Sequence, residues 1–407
     1  MSVKTLLRAT TRALGIDIQR YRAQYSRGCA SLRPEGRSNG AVLISYILEP
    51  FLRDNGEALS TTHTHYGESV LMAKVWLERG FAVDVIDYRN SEFVPRKRYD
   101  VFVSARTNLE TIAPRLAADC VKIAHFDTSH YAFNNQASYT RLLALQQRRG
   151  VSLPGSMRLV EHNLALEFAD CAVVLGNDAT LNTYRYAGKP LYALPVPAAV
   201  DPVWSDDKDF ASCRNRFLWF GSSSFVHKGL DVVLEAFAGM PDMHLTVCGP
   251  LDGEPAFCRA YHKELYESSN IHAVGWVDVA GEEFPKILNQ CAAVVYPSCA
   301  EGQAGSIINC MRSGIIPVIS RETGISTEGF GVLLPDASVA AIRTEVSNMA
   351  ARSPETLAER AEHVRKYAAS HHSQDSYIRE YTRIVETITA QTAPSRATAS
   401  RDRLPSR

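Results

Sequence analysis

Phe217-Leu-Trp-Phe-Gly-Ser-Ser-Ser-Phe-Val-His-Lys-Gly-Leu230 is the most informative segment of this 407-residue chain. The apolar residues at its start are typical of a buried strand, and the small residues that follow are typical of a loop. Lys228-Gly229 is typical of the start of a helix. Helix N-terminal amides, a glycine that permits close approach and a nearby lysine together suit a diphosphate. The pattern is neither GxGxxG nor a Walker P-loop, so it supports neither nicotinamide nor Walker-type ATP binding. The alternative is a βα turn with a surface lysine.

Strand and helix patterns alternate on both sides of this segment, which predicts an α/β fold with parallel sheets. The predicted strands are 41–46, 81–86, 100–104, 120–125 and 171–176 in the first half, then 217–220, 244–248, 271–274, 292–296 and 315–319. Three prolines within 194–202 break the pattern, and we place an interdomain hinge there. The length fits two Rossmann-sized domains.

These boundaries divide the chain into five segments. We predict a basic amphipathic leader at 1–40, an N-terminal Rossmann-like domain at 41–195, a C-terminal Rossmann-like domain at 196–372, a helix at 373–388 that packs back on the body, and a disordered tail at 389–407. The helix carries apolar residues at helical spacing, whereas the tail lacks apolar periodicity.

Composition excludes several classes of protein. Hydrophobic residues make up 45% and charged residues 22%, with zero formal net charge, so we expect a soluble protein without a nucleic-acid partner. The nine cysteines show no CxxC spacing and are expected to be buried, reduced thiols. No apolar run approaches the roughly 20 residues of a membrane span, and no signal peptide is visible. We therefore expect a cytoplasmic location.

The first 40 residues are unevenly charged. Lys4, Arg8 and Arg12 fall on one helical face and Leu7 and Leu14 on another. That pattern suits peripheral binding to an anionic membrane surface at the inner face of the plasma membrane. A solvated basic leader that packs loosely on the first domain is the alternative.

A second motif follows the strand at 292–296. In Tyr296-Pro-Ser-Cys-Ala-Glu-Gly302, a carboxylate stands at the carboxyl end of a strand beside glycines that open the next helix, where open α/β sheets bind ligands. Glu301 is suited to accept hydrogen bonds from sugar hydroxyls. The amides near Ala304, Gly305 and Ser306 are suited to face a phosphate. A solvated loop carboxylate is the alternative.

Together, these motifs give residues 194–388 a resemblance to retaining GT-B glycosyltransferases of the glycosyl transferases group 1 type, family 4 in the sugar-enzyme classification. The matching residues are Pro197-Ala-Ala-Val-Asp201, Gly221 with Lys228-Gly229, Gly249-Pro250, Gly275-Trp-Val277, Pro297-Ser298 with Glu301-Gly302, and Gly314 with Pro317-Val318. The resemblance implies a GT-B architecture, in which two Rossmann-like domains face each other across a cleft and the C-terminal helix crosses back. It also implies an acceptor-side N-terminal domain and a nucleotide-sugar-binding C-terminal domain.

By this resemblance, Lys228 contacts the donor diphosphate and Glu301 the transferred sugar. The expected donor-binding set is Gly221, Ser222, Lys228, Gly229, Gly249, Glu301, Gly302, Ala304, Gly305, Ser306 and Asn309. The expected reaction transfers a hexose from a nucleoside-diphosphate sugar to a hydroxyl of a glycan or lipid-linked glycan, with retention, in bacterial surface polysaccharide or glycolipid synthesis. No cofactor and no metal are expected.

Two positions depart from the family pattern. Ser222 stands where the family commonly has an arginine, and Asn309 stands where it has a second glutamate. An amide can still bond a ribose hydroxyl, but it loses the stronger charge-assisted bond. These departures leave open a non-catalytic nucleotide-sugar-binding or scaffold protein. A GT-B nucleotide-sugar epimerase or phosphorylase is a further alternative.

The N-terminal half offers acceptor-side candidates between its first strand and first helix. His65, Tyr66 and Gly67 are expected in a loop where a substrate contact or plain solvent exposure is possible. His63 and His65 resemble a metal pair, but no third ligand follows at ligand spacing, so we expect no metal there.

A further cluster at 123–135 follows a predicted buried strand. The resemblance implies a catalytic histidine after a strand of this domain that faces the transferred sugar, and His130 is the first choice for it, with His125 the second. Asp127 is a candidate base for the acceptor hydroxyl. Capping or core histidines are the alternative.

Two charged groups are predicted to have no catalytic role. Arg148 and Arg149 are expected to be surface charges, and the DxD letters at Asp207-Lys-Asp209 to lie in a solvated loop.

Overall fold

A computed structural model of the protein describes residues 27–52, 64–200 and 208–401. The strands are β1 Cys29–Leu32, β2 Gly40–Tyr46, β3 Phe81–Asp87, β4 Val101–Ala105, β5 Val121–Phe126, β6 Cys171–Leu175, β7 Leu191–Leu194, β8 Arg216–Phe220, β9 His244–Cys248, β10 Ile271–Gly275, β11 Ala293–Tyr296, β12 Ile316–Ile319 and β13 Val332–Leu333. The α-helices are α1 Thr64–Glu78, α2 Asn108–Ile112, α3 Tyr131–Arg149, α4 Ala165–Phe168, α5 Asp178–Asn182, α6 Phe210–Cys213, α7 Leu230–Ala238, α8 Pro255–Ala260, α9 Glu283–Asn289, α10 Gly305–Arg312, α11 Val339–Ala350, α12 Pro354–His371 and α13 Gln374–Arg401.

The N-terminal domain is built on a seven-stranded sheet in the order β1-β3-β2-β4-β5-β6-β7 among the described residues. All pairings are parallel except that of β1 with β3. β4 and β6 are buried along their whole length, as expected for strands covered by helices on both faces. The predicted α/β class with parallel sheets is confirmed for this domain.

β1 corrects the prediction of a leader that extends to residue 40. Cys29–Leu32 pair antiparallel with β3 at the sheet edge, from Cys29↔Ile86 to Leu32↔Val83. The strand is short and only half-buried on alternate residues, so its apolar signal is weak. The predicted membrane-facing residues Lys4, Arg8 and Arg12 lie outside the described residues.

The C-terminal domain carries a six-stranded parallel sheet in the Rossmann order β10-β9-β8-β11-β12-β13 within the described part of the chain. The loops after its strands meet those of the first sheet. A Cβ placed on Gly302, after β11, would lie 2.6 Å from the carbonyl oxygen of Asp127, which follows β5. The carboxyl ends of the two sheets therefore face each other, as predicted.

The C-terminal helix crosses back to the first domain, which confirms that part of the predicted architecture. Trp76 Nε1 on α1 donates to the Tyr381 hydroxyl on α13 at 3.1 Å, and Arg79 pairs with Glu386. α13 continues to Arg401, past the predicted end near residue 388. The apolar stripe stops there, but helix-favouring Ala, Gln and Arg residues follow.

The predicted hinge is tied to the start of α13. Ala198 N donates to the His372 carbonyl at 2.8 Å, and His372 Nδ1 lies 2.8 Å from the Val196 carbonyl. Residues 201–207, with Asp207 of the DxD letters, lie outside the described residues. Asp209 is not merely solvated, because its carboxylate accepts from the amides of Ala211 and Ser212 and caps α6.

α3 of the N-terminal domain bridges the two domains. Arg148 Nη2 lies 2.6 Å from Asp231, and Arg149 Nη2 lies 2.8 Å from Glu264 in the C-terminal domain. The prediction of surface charges at these arginines is therefore corrected. The nine cysteines all lie within the described ranges and are free thiols, six of them buried.

Candidate active site

The loop after β8 has the predicted strand–loop–helix geometry. Gly229 is the N-cap of α7 at φ 75°, and a Cβ there would lie 2.6 Å from the Pro297 carbonyl oxygen, so glycine is required. Lys228 is only 6% exposed and donates from Nζ to Ser222 Oγ and, at 2.8 Å, to the Ser223 carbonyl. Burial lowers the pKa of Lys228 to about 8, against the opposing effect of the Glu301 carboxylate.

Part of this loop is already engaged by a carboxylate. Glu254 accepts hydrogen bonds from the amides of Ser224 and Phe225 and from the Ser156 hydroxyl of the N-terminal domain. Burial raises the pKa of Glu254. The amides of Ser224 and Phe225 therefore face a protein carboxylate, and Lys228 is the cation of the loop beside Glu301.

Glu301 is buried at the end of β11 and receives hydrogen bonds from both domains. Ser298 Oγ donates to its Oε1 at 2.9 Å and the Tyr296 hydroxyl at 3.2 Å, while Arg158 Nη1 donates to its Oε2 at 2.7 Å. Burial alone would raise the pKa of Glu301, but Arg158 and Lys228 lower it to about 2. The carboxylate is ionised at neutral pH and keeps acceptor capacity for one more hydroxyl.

Sequence reasoning missed Arg158. It lies in the N-terminal domain after α3, and its Nη2 also donates to Thr128 Oγ1 at 2.8 Å and to the Ala300 carbonyl at 3.2 Å. The residue stands in a stretch without helix or strand periodicity, so nothing local marks it. Its partner Glu301 is 143 positions away along the chain.

At α10, some of the predicted donor-binding groups are already hydrogen-bonded within the protein and others are not. Ala304 N donates to the Thr323 carbonyl at 3.1 Å, so this predicted phosphate-facing amide is used internally. Gly305 and Ser306 occupy the first turn, where amides lack intrahelical acceptors. Asn309 Oδ1 accepts from Ala199 N of the hinge at 3.1 Å, so this oxygen does not face a ribose.

Two predicted glycines lie side by side at the ends of β8 and β9. Gly249 N donates to the Gly275 carbonyl at 2.8 Å, and Gly221 N donates to the Cys248 carbonyl at 3.1 Å. A Cβ on Gly249 would lie 2.9 Å from the Gly221 carbonyl oxygen. Both glycines thus lie at the carboxyl ends of their strands, on the side of the sheet where the loop with Lys228 begins.

The acceptor-side candidates join a buried polar network. His65 Nδ1 lies 2.7 Å from Glu68 Oε2, which also accepts from the Tyr46 hydroxyl at 2.8 Å. Asp127 Oδ2 accepts from Arg106 Nη2 at 2.8 Å and lies 3.7 Å from His65 Nε2. The three candidates His65, Tyr66 and Gly67 belong to the first turn of α1, which starts earlier than the predicted loop allows.

Charges shift the pKa values of this network. Burial alone would raise the pKa of Asp127, but the Arg106 guanidinium holds it well below its usual range. Burial alone would lower the pKa of His65, but the Glu68 carboxylate raises it. Asp127 is thus a poor proton acceptor at neutral pH as it stands.

The two candidate histidines have different surroundings. His125 is fully buried in β5, burial lowers its pKa to about 4, and neither ring nitrogen has a hydrogen-bond partner among the described residues. His130 is the N-cap of α3 and is partly buried, with ring contacts to Tyr131, Tyr184 and Tyr186. Burial lowers the pKa of His130. Neither histidine hydrogen-bonds to Glu301 or Lys228.

Within the described residues, no three His, Cys, Asp or Glu side chains lie close enough to hold a metal ion. In the same part of the chain, no helix is both long and apolar enough to cross a membrane.

Comparison with known proteins shows that part of the C-terminal domain is similar to a sequence family. Residues 214–352 match the family described as Glycosyl transferases group 1. The uncharacterized glycosyltransferase YqgM of Bacillus subtilis (strain 168) is 25% identical over 177 residues, which is 42% of this chain and 47% of YqgM. The aligned part thus spans about half the length of this curated relative.

Solved structures resemble most of this chain. HepE of Anabaena, in complex with UDP and glucose, is 13% identical and superposes with a TM-score of 0.55. The match covers 86% of this chain and 100% of the HepE chain. The sucrose-phosphate synthase of Thermosynechococcus elongatus is 14% identical and superposes with a TM-score of 0.59. The match covers 86% of this chain and 99% of the synthase chain. The chain has the predicted GT-B fold.

The Arg158–Glu301 pair generates a pH-dependent stability prediction. For Arg158→Met, we expect the free energy of unfolding to fall by about 1–3 kcal/mol near pH 7, because a buried carboxylate loses its charge-assisted bond. The lowered pKa of Glu301 stabilises the fold above its unfolded-state pKa, and this stabilisation is lost as pH falls toward about 2. Urea titrations near pH 7 and near pH 3 should therefore show a smaller difference at the lower pH.

A matched control is Arg185→Met, because Arg185 pairs with Asp178 at the surface of the same domain with both side chains mostly exposed. We expect almost no change in its stability at either pH. An Arg158→Met loss that stays the same at both pH values would contradict the assigned pair.

Close domain contact at Gly302 generates a second prediction. Gly302→Ala would set its Cβ 2.6 Å from the Asp127 carbonyl oxygen and 2.9 Å from that of Leu175. Backbone atoms yield little, so we expect a loss of about 1–3 kcal/mol in urea denaturation and a larger radius of gyration in X-ray scattering. Gly253→Ala, with no atom near its Cβ, is the control and should change neither value.

Proposed function

We propose that this protein is a glycosyltransferase that uses its C-terminal domain to hold a nucleoside-diphosphate sugar. The observation that carries the proposal is the approach of the segments that hold Lys228 and Glu301, within a domain that matches Glycosyl transferases group 1: Cys299 N donates to the His227 carbonyl at 3.0 Å. A glycosyltransferase fold alone does not define activity, but this pair supplies a cation for a diphosphate and a carboxylate for sugar hydroxyls.

The proposed reaction moves a hexose to an acceptor hydroxyl with retention at the anomeric carbon. Lys228 neutralises the leaving diphosphate, together with the first-turn amides of Gly305 and Ser306. Glu301 holds the transferred sugar and stays ionised because Arg158 and Lys228 lower its pKa to about 2. In this proposal, side chains and backbone amides replace a metal ion as the source of positive charge.

The acceptor is proposed to be a glycan or lipid-linked glycan of bacterial surface polysaccharide or glycolipid synthesis. His130, at the start of α3, or the departing phosphate takes the acceptor proton in this scheme. Support for a nucleotide-sugar donor comes from HepE, whose structures contain UDP with glucose and UDP-glucose. A peripheral cytoplasmic location at the membrane is part of the same proposal.

The donor site is tested with UDP-, GDP-, ADP- and dTDP-sugars in thermal-shift assays without added metal. We expect one nucleotide class to raise the melting temperature of the wild type, and Lys228→Ala to abolish the shift. With that donor, Lys228→Ala should lose at least about ten-fold in transfer, because a charge-assisted bond to the leaving group is removed. Lys97→Ala, whose ammonium pairs with Asp84 in the N-terminal domain, is the control and should keep the shift. Near-wild-type transfer by Lys228→Ala would overturn the assignment.

The pKa of Lys228 gives a further prediction for donor binding. Because burial lowers this pKa to about 8, the ammonium loses its charge as pH rises through that value in the free protein. We expect donor affinity to be full at lower pH and to fall above about pH 8. In Lys228→Arg, whose guanidinium stays charged, any remaining affinity should not decline over this range. An identical alkaline decline in both proteins would contradict the role of Lys228.

A non-catalytic nucleotide-sugar-binding or scaffold protein is the second candidate. It is favoured by Ser222 and by Asn309, whose side-chain oxygen is occupied by Ala199 N. Such a protein would show the donor-dependent thermal shift but neither transfer nor donor hydrolysis. Formation of a glycosidic bond would also distinguish transfer from an epimerase.

A further inference from the structure

A cavity of about 310 Å³ lies between the domains beside Glu301. The N-terminal domain contributes Ser129 and Asn182 to its wall, and the C-terminal domain contributes Arg321 and Glu322. Hydroxyl, amide, carboxylate and guanidinium groups thus converge on one small space. Its volume is at the low end of the roughly 300–1,000 Å³ of small-molecule sites.

Ser129 is the residue of this wall whose buried hydroxyl lacks a hydrogen-bond partner among the described residues. The residue is 2% exposed. The neighbouring Thr183 Oγ1, by contrast, accepts from His130 N at 3.0 Å and donates to the Thr180 carbonyl at 2.7 Å. Leaving a buried hydroxyl without a partner is unfavourable, so the Ser129 Oγ is suited to a hydrogen bond with a polar group in the cavity.

A groove of about 760 Å³ lies next to the cavity, between α3 and the start of α11. Phe133 and Glu322 line both spaces, so the two are neighbours. Phe133 is 40% exposed at this junction and offers an aromatic face. Arg141 lines the groove, is 8% exposed, and has no partner for Nη1 within the described residues, although Nη2 donates to the Pro297 carbonyl at 2.8 Å.

We propose that the cavity and groove bind the acceptor as a neutral oligosaccharide, with its terminal pyranose in the cavity and the preceding sugars along the groove. The inference rests on the proposed glycosyl transfer. Unpaired Ser129 and Arg141 supply hydrogen bonds to hydroxyls at two points of one path, and Phe133 stacks a ring between them. A single sugar would leave the groove and the Arg141 donor unfilled.

The charges of the cavity favour a neutral sugar. The Glu322 carboxylate would repel an anionic sugar in the cavity, and the Arg321 guanidinium would repel a cationic sugar. The remaining carboxylate, Glu301, is matched by Arg158 at 2.7 Å and adds no net charge. The wall therefore selects through hydroxyls and an aromatic face.

Binding of the full chain to an array of immobilised neutral mono- and oligosaccharides tests the proposal without any donor present. We expect retention of at least one oligosaccharide and much weaker binding of its terminal monosaccharide. Phe133→Ala should weaken oligosaccharide binding by about ten-fold, since one aromatic contact is lost. Asn182→Ala, at an exposed residue of the cavity wall, should weaken oligosaccharide binding by about three- to ten-fold.

Tyr139→Ala is the matched control, because Tyr139 lies on the same helix, is 50% exposed and does not line either space. It should bind the array like the wild type. No retention of any oligosaccharide, or binding that neither Phe133→Ala nor Asn182→Ala weakens, would overturn the inference. Donor thermal shifts separate the two proposals: a donor shift without oligosaccharide binding would sink this inference alone, and oligosaccharide binding without a donor shift would count against glycosyl transfer.

Discussion

The ion pair between Arg158 and Glu301 governs how the two domains are held together. A carboxylate that is 6% exposed between domains is costly unless a cation and hydrogen bonds match it. The C-terminal domain supplies the Ser298 and Tyr296 hydroxyls, but the guanidinium comes from the N-terminal domain and is itself fixed by Thr128. Separating the domains would leave the Glu301 charge unmatched. The orientation and ionisation of this carboxylate therefore depend on domain approach.

The same constraint extends along the boundary. Gly302 allows its backbone to lie against Asp127, and Thr180 Oγ1 donates to the Gly302 carbonyl at 2.9 Å. Farther out, Arg148 and Arg149 of α3 pair with acids of the C-terminal domain. Charged pairs at several points and close backbone contact at the centre fix one relative placement of the two sheets. The Arg158 guanidinium thereby reaches Glu301 in a site to which both domains contribute.

Features encoded by neighbouring residues were predictable from the sequence, whereas those made by distant partners were not. The strand, loop and helix around Lys228 follow from a continuous local pattern, and so does the alternation that predicts two Rossmann-like domains. Arg158 meets Glu301 only through the fold, and Arg148 and Arg149 look like ordinary surface charges in a polar helix. His65 was expected in a loop but lies in the first turn of α1, where its ring meets Glu68 and Asp127, and Asp127 is distant in sequence.

The two departures from the family pattern acquire a physical meaning in this arrangement. Ser222 brings no charge to the phosphate loop, but its hydroxyl accepts a hydrogen bond from Lys228 Nζ. Arg158 brings a guanidinium from the opposite domain to Glu301, and the two charges match each other. Asn309 binds the hinge amide of Ala199 and ties α10 to the connection between domains. Charge balance at the proposed donor site is thus coupled to domain contact, because one of its two cations is present only while the domains meet.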